Sequence, residues 1–423
     1  MKKYLFLFTL LSTFANGQII IFTDVVFKTR LLNANTSNTI AKNSQGNYFK
    51  IDANNNSEIE VSEALEVFEL RVERPQNSSN YINTLSGIEY FTNLRLLSCG
   101  NNNIPNINLQ NLTQLVTLQL TNNLLTTIDV TNLTNLKELF VRNNILTSLV
   151  FLNNNDLENI WISYNDLVSL DLTSIPSLKF VYVDNNELTN LNITGLNNLT
   201  ELNCNNNSIS TLDLTNKPLL SWMDVSENNL LNINLNGLTN LNIVTINNTL
   251  ISTFDGSNCG VKKLICQNNP NLTSINVKNN YYSNSVPDML DFAFQISNNP
   301  LLQSICVDSG EQNNLAFCNY NTSGNVQVYG GSNCDVPLQV MSSESFKNNE
   351  LTLFPNPVKN ELNFSFEKTV HIEKINIYNT LGQLVKQFIG NQNSINLSDL
   401  NTGYYHIEFI SEDGKLTKKF IKE

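Results

Sequence analysis

Residues 115–130 read LVTLQLTNNLLTTIDV. Apolar side chains fall at positions 1, 4 and 6, an asparagine at 9, and apolar residues again at 11, 14 and 16. Neither the helical period nor strict alternation gives this spacing. The pattern recurs along the chain. Leu94, Leu115, Leu136, Leu157, Leu178, Leu199, Leu220 and Leu241 each open a unit 21 residues after the last, and Val261 follows after 20. A period of this length marks a coil whose turns stack and bury their apolar sets against one another. Positions 1, 4 and 6 face the interior, and the short LxL stretch supplies one strand of a long parallel sheet. A second apolar set, such as Leu167, Leu170 and Leu172, lines the opposite wall. A unit this short has no room for a full outer helix, so extended or short β structure is expected there. One turn cannot stand alone, and both ends need caps.

Position 9 carries Asn102, Asn123, Asn144, Asn165, Asn186, Asn207, Asn228 and Asn269. A buried amide there can satisfy backbone groups at a turn, which an apolar side chain cannot. Thr249 stands in place of asparagine in the unit from Leu241, which predicts a local irregularity. The pattern resembles the leucine-rich repeat signature. Cysteine at position 6 in Cys99, Cys204 and Cys266 is similar to the cysteine ladder of internalin-type bacterial surface proteins, over residues 94–280. Only three units carry it, so the ladder is partial. These three read as buried thiols packed like small hydrophobes. Cys259, Cys306, Cys318 and Cys334 lie near the end of the repeats, where a disulfide could close the cap as Cys306 with Cys318 or with Cys334; spacing alone does not choose.

The start, MKKYLFLFTLLSTFANGQ, reads as a signal peptide of residues 1–17: Lys2 and Lys3, an apolar core at 4–11, and the small-residue site Ala15-Asn16-Gly17. That core is too short to span a bilayer, and no later run is longer, so the mature chain has no expected transmembrane segment. Formal net charge is −12. The leader holds two lysines and residues 351–423 balance eight lysines against eight acids, leaving about −14 on residues 18–350. A surface of that sign disfavours nucleic acid and anionic membrane.

Residues 18–93 form the expected amino-terminal cap. Within it, 52–63 read DANNNSEIEVSE. Asp52, Asn54, Asn56, Glu58, Glu60 and Glu63 fall at positions 1, 3, 5, 7, 9 and 12 of an EF-hand-like loop, with Glu58 offering its carbonyl. Calcium requires such hard oxygens on a tight loop closed by a carboxylate. Ser57 stands where glycine usually eases the turn, and two asparagines replace aspartates, so a weak, structural calcium site is expected. A plain polar turn capped by Ser62 is the competing reading. A helix, SEALEVFEL, is expected to follow.

Residues 281–334 form the expected carboxyl-terminal cap of the solenoid and 335–350 a polar linker. From 351 to 423, strand-like runs punctuated by Gly382, Gly403 and Gly414 predict an antiparallel β-sandwich of about 70 residues. The elements FPNP (Phe354, Pro355, Asn356, Pro357), IYNTLGQLV at 377–385, LNTGYYHIEF at 400–409 and the basic end KKFIKE resemble the type A sorting domain of the type IX secretion system. That resemblance implies recognition by the type IX machinery, transport across an outer membrane, removal of the module within the linker, and a location outside or on the surface of a Gram-negative bacterium.

The only histidines, His371 and His406, lie in this last module. The repeats therefore cannot build a Ser-His-Asp or Cys-His pair, and no HExxH or phosphate-binding glycine loop occurs. A non-enzymatic binding protein is expected. Position 5 of each unit points onto the concave face and reads Ser98, Gln119, Phe140, Trp161, Tyr182, Asn203, Asp224, Thr245, Ile265. At a strand spacing of about 4.8 Å, Phe140, Trp161 and Tyr182 form a ladder about 10 Å long. Phe180, Trp222 and Tyr164 border it, and Arg142, Lys137, Lys179, Glu138 and Asp184 supply a charged rim. An exposed aromatic strip with a polar border has the composition of a binding hot spot, although aromatics also favour strands for stability alone. A protein partner is the first expectation, with a glycan stacked on flat rings as the alternative.

Overall fold

The computed structural model describes residues 17–279, 294–308, 326–329, 337–338, 351–366, 372–379, 383–390, 392–411 and 414–423. They fall into two compact units, one ending near residue 334 and the other made of 327–329 with 335–423.

The first unit is a leucine-rich repeat solenoid. Its concave wall is a twelve-stranded sheet in which each rung is three residues long or shorter. Leu96–Ser98, Thr117–Gln119, Glu138–Phe140, Asn159–Trp161, Phe180–Tyr182, Glu201–Asn203, Trp222–Asp224, Ile243–Thr245 and Lys263–Ile265 pair in parallel without a register slip. The central residue of each rung, from Leu97 to Leu264, is fully buried. This follows from strand alternation: one buried side chain per rung fixes the phase, because a one-residue slip would turn it out to solvent. The opposite wall carries the expected short strands, Ser169–Asp171 beside Asn190–Asn192, and Thr253–Asp255, Ser274–Asn276 and Ser304–Cys306 in parallel.

The asparagine column closes each turn. Nδ2 of Asn144 donates to the carbonyls of Leu120 and Val141, both at 3.0 Å, while its Oδ1 accepts from the Leu125 amide at 3.0 Å. Asn165 repeats the arrangement one turn later, on Val141, Ile162 and Leu146. The expected irregularity at Thr249 is confined to the turn and leaves the strand register intact: the Thr249 amide gives up the backbone carbonyl of the next turn, to which Asn123 and Asn144 donate in theirs. Thr249 is buried, and its amide and hydroxyl both donate to Asn269 Oδ1, at 2.8 and 2.7 Å. A hydroxyl next to the turn thus keeps the ladder in register through Ile243–Thr245.

The residue just before this column adopts the left-handed conformation in unit after unit, with φ between 50° and 60° from Asn101 to Asn298. Asparagine is the side chain, after glycine, that best tolerates it. Neighbouring outer amides also bond to one another, Asn122 to Asn101 at 2.7 Å and Asn143 to Asn122 at 2.6 Å.

In the amino-terminal cap, a helix over Val25–Leu32 buries Phe27 and Leu31, with Asp24 capping it by accepting from the Phe27 amide at 2.9 Å. The expected helix SEALEVFEL is corrected: only Val61–Ala64 is helical, and Glu69–Arg71 joins the concave sheet as an extra rung beside Leu96–Ser98. The alternating apolar residues Leu70 and Val72 are fully buried there, so sheet pairing outweighs helix propensity. Among the described residues no helix is long and apolar enough to cross a membrane. The expected signal peptide at 1–17 lies, but for Gly17, outside the described residues. So do Cys318 and Cys334; Cys306 is disulfide-bonded.

The second unit packs two antiparallel sheets. Leu351–Phe354, Glu361–Phe366 and Ser394–Asn396 form one; Leu384–Ile389, Ile372–Asn379, Gly403–Ser411 and Gly414–Lys422 form the other. Phe364, Phe409, Ile375, Ile407 and Phe420 fill its core. Pro337–Leu338, within the stretch read as a linker, pair antiparallel with Gln327–Tyr329.

Two measurements check the solenoid. Replacing Asn144 with leucine strands one buried amide and two carbonyls, and should cost at least about 3 kcal/mol in urea unfolding. Burial raises the thiols of Cys99 and Cys204 strongly, that of Cys266 to about 12 and that of Cys259 to about 11. These four, free in the fold, should resist aromatic disulfide reagents at pH 8 until the repeats unfold.

Candidate functional site

The register that buries every rung centre also turns both flanking side chains onto the concave face. Phe140, Trp161 and Tyr182 therefore stand on adjacent rungs of one column. Their rings meet: Phe140 and Trp161 at 5.4 Å between centroids and 68° between planes, Trp161 and Tyr182 at 5.1 Å and 53°. Trp161 is 41% exposed, the most open of the three. The strip then turns diagonally. Tyr182 stacks on Trp222, two rungs away and on the neighbouring column, at 6.2 Å and 30°. Four rings thus form one cluster.

Tyr182 is held by a residue absent from the sequence reading. Its hydroxyl donates to Glu201, one rung on and in the column of Trp222. Burial, and then this carboxylate, push the Tyr182 phenol far above its usual range, so it stays a donor at any physiological pH. The signal was present in the diagonal relation of positions 5 and 3, but nothing in the residue types fixes which way a ring leans.

The remaining expected residues divide. Phe180 is half-buried and, among the described residues, pairs with no ring of the strip. Tyr164 is 44% exposed, and the Arg142 guanidinium lies 4.8 Å above its ring. Lys179 is committed to Glu158 at 2.7 Å, and holds that carboxyl below its usual range. Asp184 is buried behind the strip, where Ser163 and Asn203 donate to it. Beyond Tyr182 the face turns polar, with Asn203, Asn205 and Asp224 hydrogen-bonded among themselves.

The cap loop at 52–63 takes the tight form its spacing suggested. Ser57, at the usual glycine position, is left-handed with φ 64°. Its oxygens, however, are occupied within the loop. Asp52 accepts from the Asn56 amide at 3.1 Å, and Glu63 accepts from the amides of Ala53 at 2.8 Å and Glu60 at 3.1 Å. Asn54 and Asn56 turn their NH2 groups to Glu60, at 3.1 and 2.6 Å. The Glu58 side chain pairs with Lys28 at 2.7 Å. Burial and the contact with Glu60 raise the Glu63 carboxyl, while that same contact and the Asn56 amide hold Glu60 low. Among the described residues no group of three or more acidic, histidine or cysteine side chains is placed to hold a metal. The loop carries a capping box between Glu60 and Glu63.

In the second unit, Phe354 is 48% exposed and Pro355, Asn356 and Pro357 are also exposed. Asn356 Oδ1 accepts from the amide of Ile421 at 2.8 Å, tying this segment to the last strand.

Residues 352–423 match the family described as the secretion system C-terminal sorting domain. A comparison with curated proteins finds no match. The chain is similar to the solved functional domain of InlJ from Listeria monocytogenes, which includes a cysteine ladder, at 18% identity over 96% of this chain and 99% of that one, with a TM-score of 0.37. It is similar to an internalin of the same species at 21% identity, covering 65% of this chain and 85% of that one, with a TM-score of 0.43. It is also similar to a leucine-rich repeat protein of Leptospira interrogans at 19% identity, covering 64% and 76%, with a TM-score of 0.46.

Proposed function

We propose, taking residues 352–423 as a sorting module, that this chain is a non-enzymatic recognition protein displayed on or released from the cell surface. Its concave leucine-rich repeat face binds a protein partner. The observation that carries the reading is the exposed Trp161 clasped between Phe140 and Tyr182. Tryptophan and tyrosine anchored by packed neighbours are the residues that dominate protein interfaces. The ring angles favour a polypeptide over a glycan. Planes tilted by 68° and 53° offer no common platform on which a sugar chain could lie flat, whereas an uneven cluster fits interdigitating side chains.

Export is assigned to the second unit, in keeping with the family match and with the type IX resemblance of its motifs. The machinery would read the exposed FPNP segment and the last strand, and cleavage would fall within 335–350.

For the cap loop we propose a weak structural calcium site formed by rearrangement. The left-handed Ser57 and the buried Glu60–Glu63 pair, in which burial and the Glu60 contact raise the Glu63 carboxyl, support it. Asp52, Asn54, Asn56, Glu60 and Glu63 would hold the ion with the Glu58 carbonyl, and the ion would replace the internal hydrogen bonds of the loop.

Three outcomes are expected. The double variant Trp161→Ala, Tyr182→Ala should lose partner capture from surface lysates by about 100-fold or more, and a glycan array should stay silent; full binding by this variant excludes the strip. A chain truncated before residue 351 should accumulate in the periplasm, and the mature parent protein, by mass, should end between 335 and 350. Calcium at about 1–10 mM should raise the melting temperature of the parent but not of Glu63→Gln, whose single amide oxygen keeps one of the two hydrogen bonds from Ala53 and Glu60, each protein being compared with its own ion-free melt. Because the folded Glu63 pKa is raised, its proton contributes stability at low pH and leaves as pH rises. The calcium gain should therefore grow between pH 5 and 7.5.

A further inference from the structure

The left-handed column before the buried asparagines runs through ten units, at Asn101, Asn122, Asn143, Tyr164, Asn185, Asn206, Glu227, Asn248, Asn268 and Asn298. Eight are asparagine, the residue suited to this backbone. A bulky ring in that conformation is an outlier. Tyr164 also interrupts the outer amide ladder, which runs from Asn143 through Asn122 to Asn101 on one side and from Asn206 to Asn185 on the other. The fold gains nothing visible in return. The Tyr164 amide donates to the Asp184 carbonyl at 3.0 Å, as its counterparts do in their own units, and its ring is 44% exposed.

What the ring does touch is Arg142, whose guanidinium lies 4.8 Å from its centroid. Arg142 is itself exposed and, among the described residues, pairs with no carboxylate. The contact holds the guanidinium over the ring, and a guanidinium so placed keeps N–H donors for a further partner. Trp161, 41% exposed, lies three residues before Tyr164. Tyrosine and arginine thus stand together, three residues along the chain from the Trp161 rung, at a position where the backbone alone would select asparagine.

We propose that Tyr164 and Arg142 form the specificity end of the recognition strip: Arg142, fixed on the Tyr164 ring, receives a carboxylate from an extended polypeptide segment of the partner, and an apolar neighbour of that carboxylate packs on Trp161. This rests on reading the concave face as a protein-binding surface. Charge supports it. A planar guanidinium takes a carboxylate by two parallel hydrogen bonds, and the net charge of about −14 over residues 18–350 disfavours the same group on the solenoid at large. A guanidinium held on a ring therefore offers an acidic side chain a fixed place to land.

The test pans a random peptide library on the full chain. Selected peptides should carry aspartate or glutamate next to an apolar residue. Their affinity should fall at least tenfold in Tyr164→Asn and in Arg142→Gln, with Arg142→Lys recovering only part of it. Tyr164→Asn, which restores the preferred residue and the amide ladder, should melt about 1–4 °C higher than the parent. The inference is overturned if Tyr164→Asn melts lower, if it retains peptide binding, if acidic residues are not enriched, or if no peptide binds while an acidic glycan does. The double variant at Trp161 and Tyr182 separates the two claims. If it abolishes peptide binding while Tyr164→Asn retains it, the face binds polypeptide but this assignment fails. If the double variant binds normally, the concave-face reading itself fails.

Discussion

A position-9 carboxamide, buried in most turns, half-buried at Asn186 and Asn207 and replaced by Thr249 in one, governs this molecule. Each position-9 asparagine bonds to its own turn, to the turn before it and to the turn's exit. Backbone groups at a sharp bend inside a wall have no water to bond with, so they must find partners in the protein. The amide supplies two donors and an acceptor at one point, which no apolar residue can. Every other regularity follows from that clamp: the buried rung centres, the left-handed residue before it and the constant register. Thr249 shows how much is required. One hydroxyl and one borrowed asparagine keep the rung in place.

Because the wall is held from within, its face is free to vary. The side chains flanking each rung centre add little to the clamp, so they can hold rings, amides or charges without disturbing the coil. The four-ring cluster uses that freedom. Tyr182 joins both halves of it, meeting Trp161 on its own column and Trp222 across the diagonal, and its bond to Glu201 fixes the lean. An aromatic surface secured in this way loses little side-chain freedom when a partner arrives.

Much of this was legible in the residues. The 21-residue spacing fixed which side chains point inward, and the alternation within each rung then placed Phe140, Trp161 and Tyr182 on one exposed column. The rest depended on energies that residue types do not carry. Val25–Leu32 became a helix because Phe27 and Leu31 could be buried and Asp24 could cap it, not because of any strong period. Residues 62–70 read as a helix, but Glu69–Arg71 entered the sheet, since an open edge rung offers partners that an isolated helix lacks. The cap loop had the spacing of a cation site, yet its carboxylates were drawn into capping their own chain. The strain at Tyr164 was hidden because a backbone angle leaves no mark on the sequence except the run of asparagines that it breaks.

The unslipped pairing of Leu96–Ser98 through Lys263–Ile265 gives the chain a modular ruler. Each turn presents the same edge to its neighbours, so a whole unit could be duplicated or lost outside residues 140–222 and the flanking turns would close up unchanged. Such an event before residue 140 would carry the intact cluster nearer to or farther from the amino-terminal cap by one strand width, about 4.8 Å. Inside that interval the same event would part rings that must touch. Gene-level gain and loss of units can therefore adjust where the aromatic cluster lies along the solenoid while leaving the cluster itself untouched.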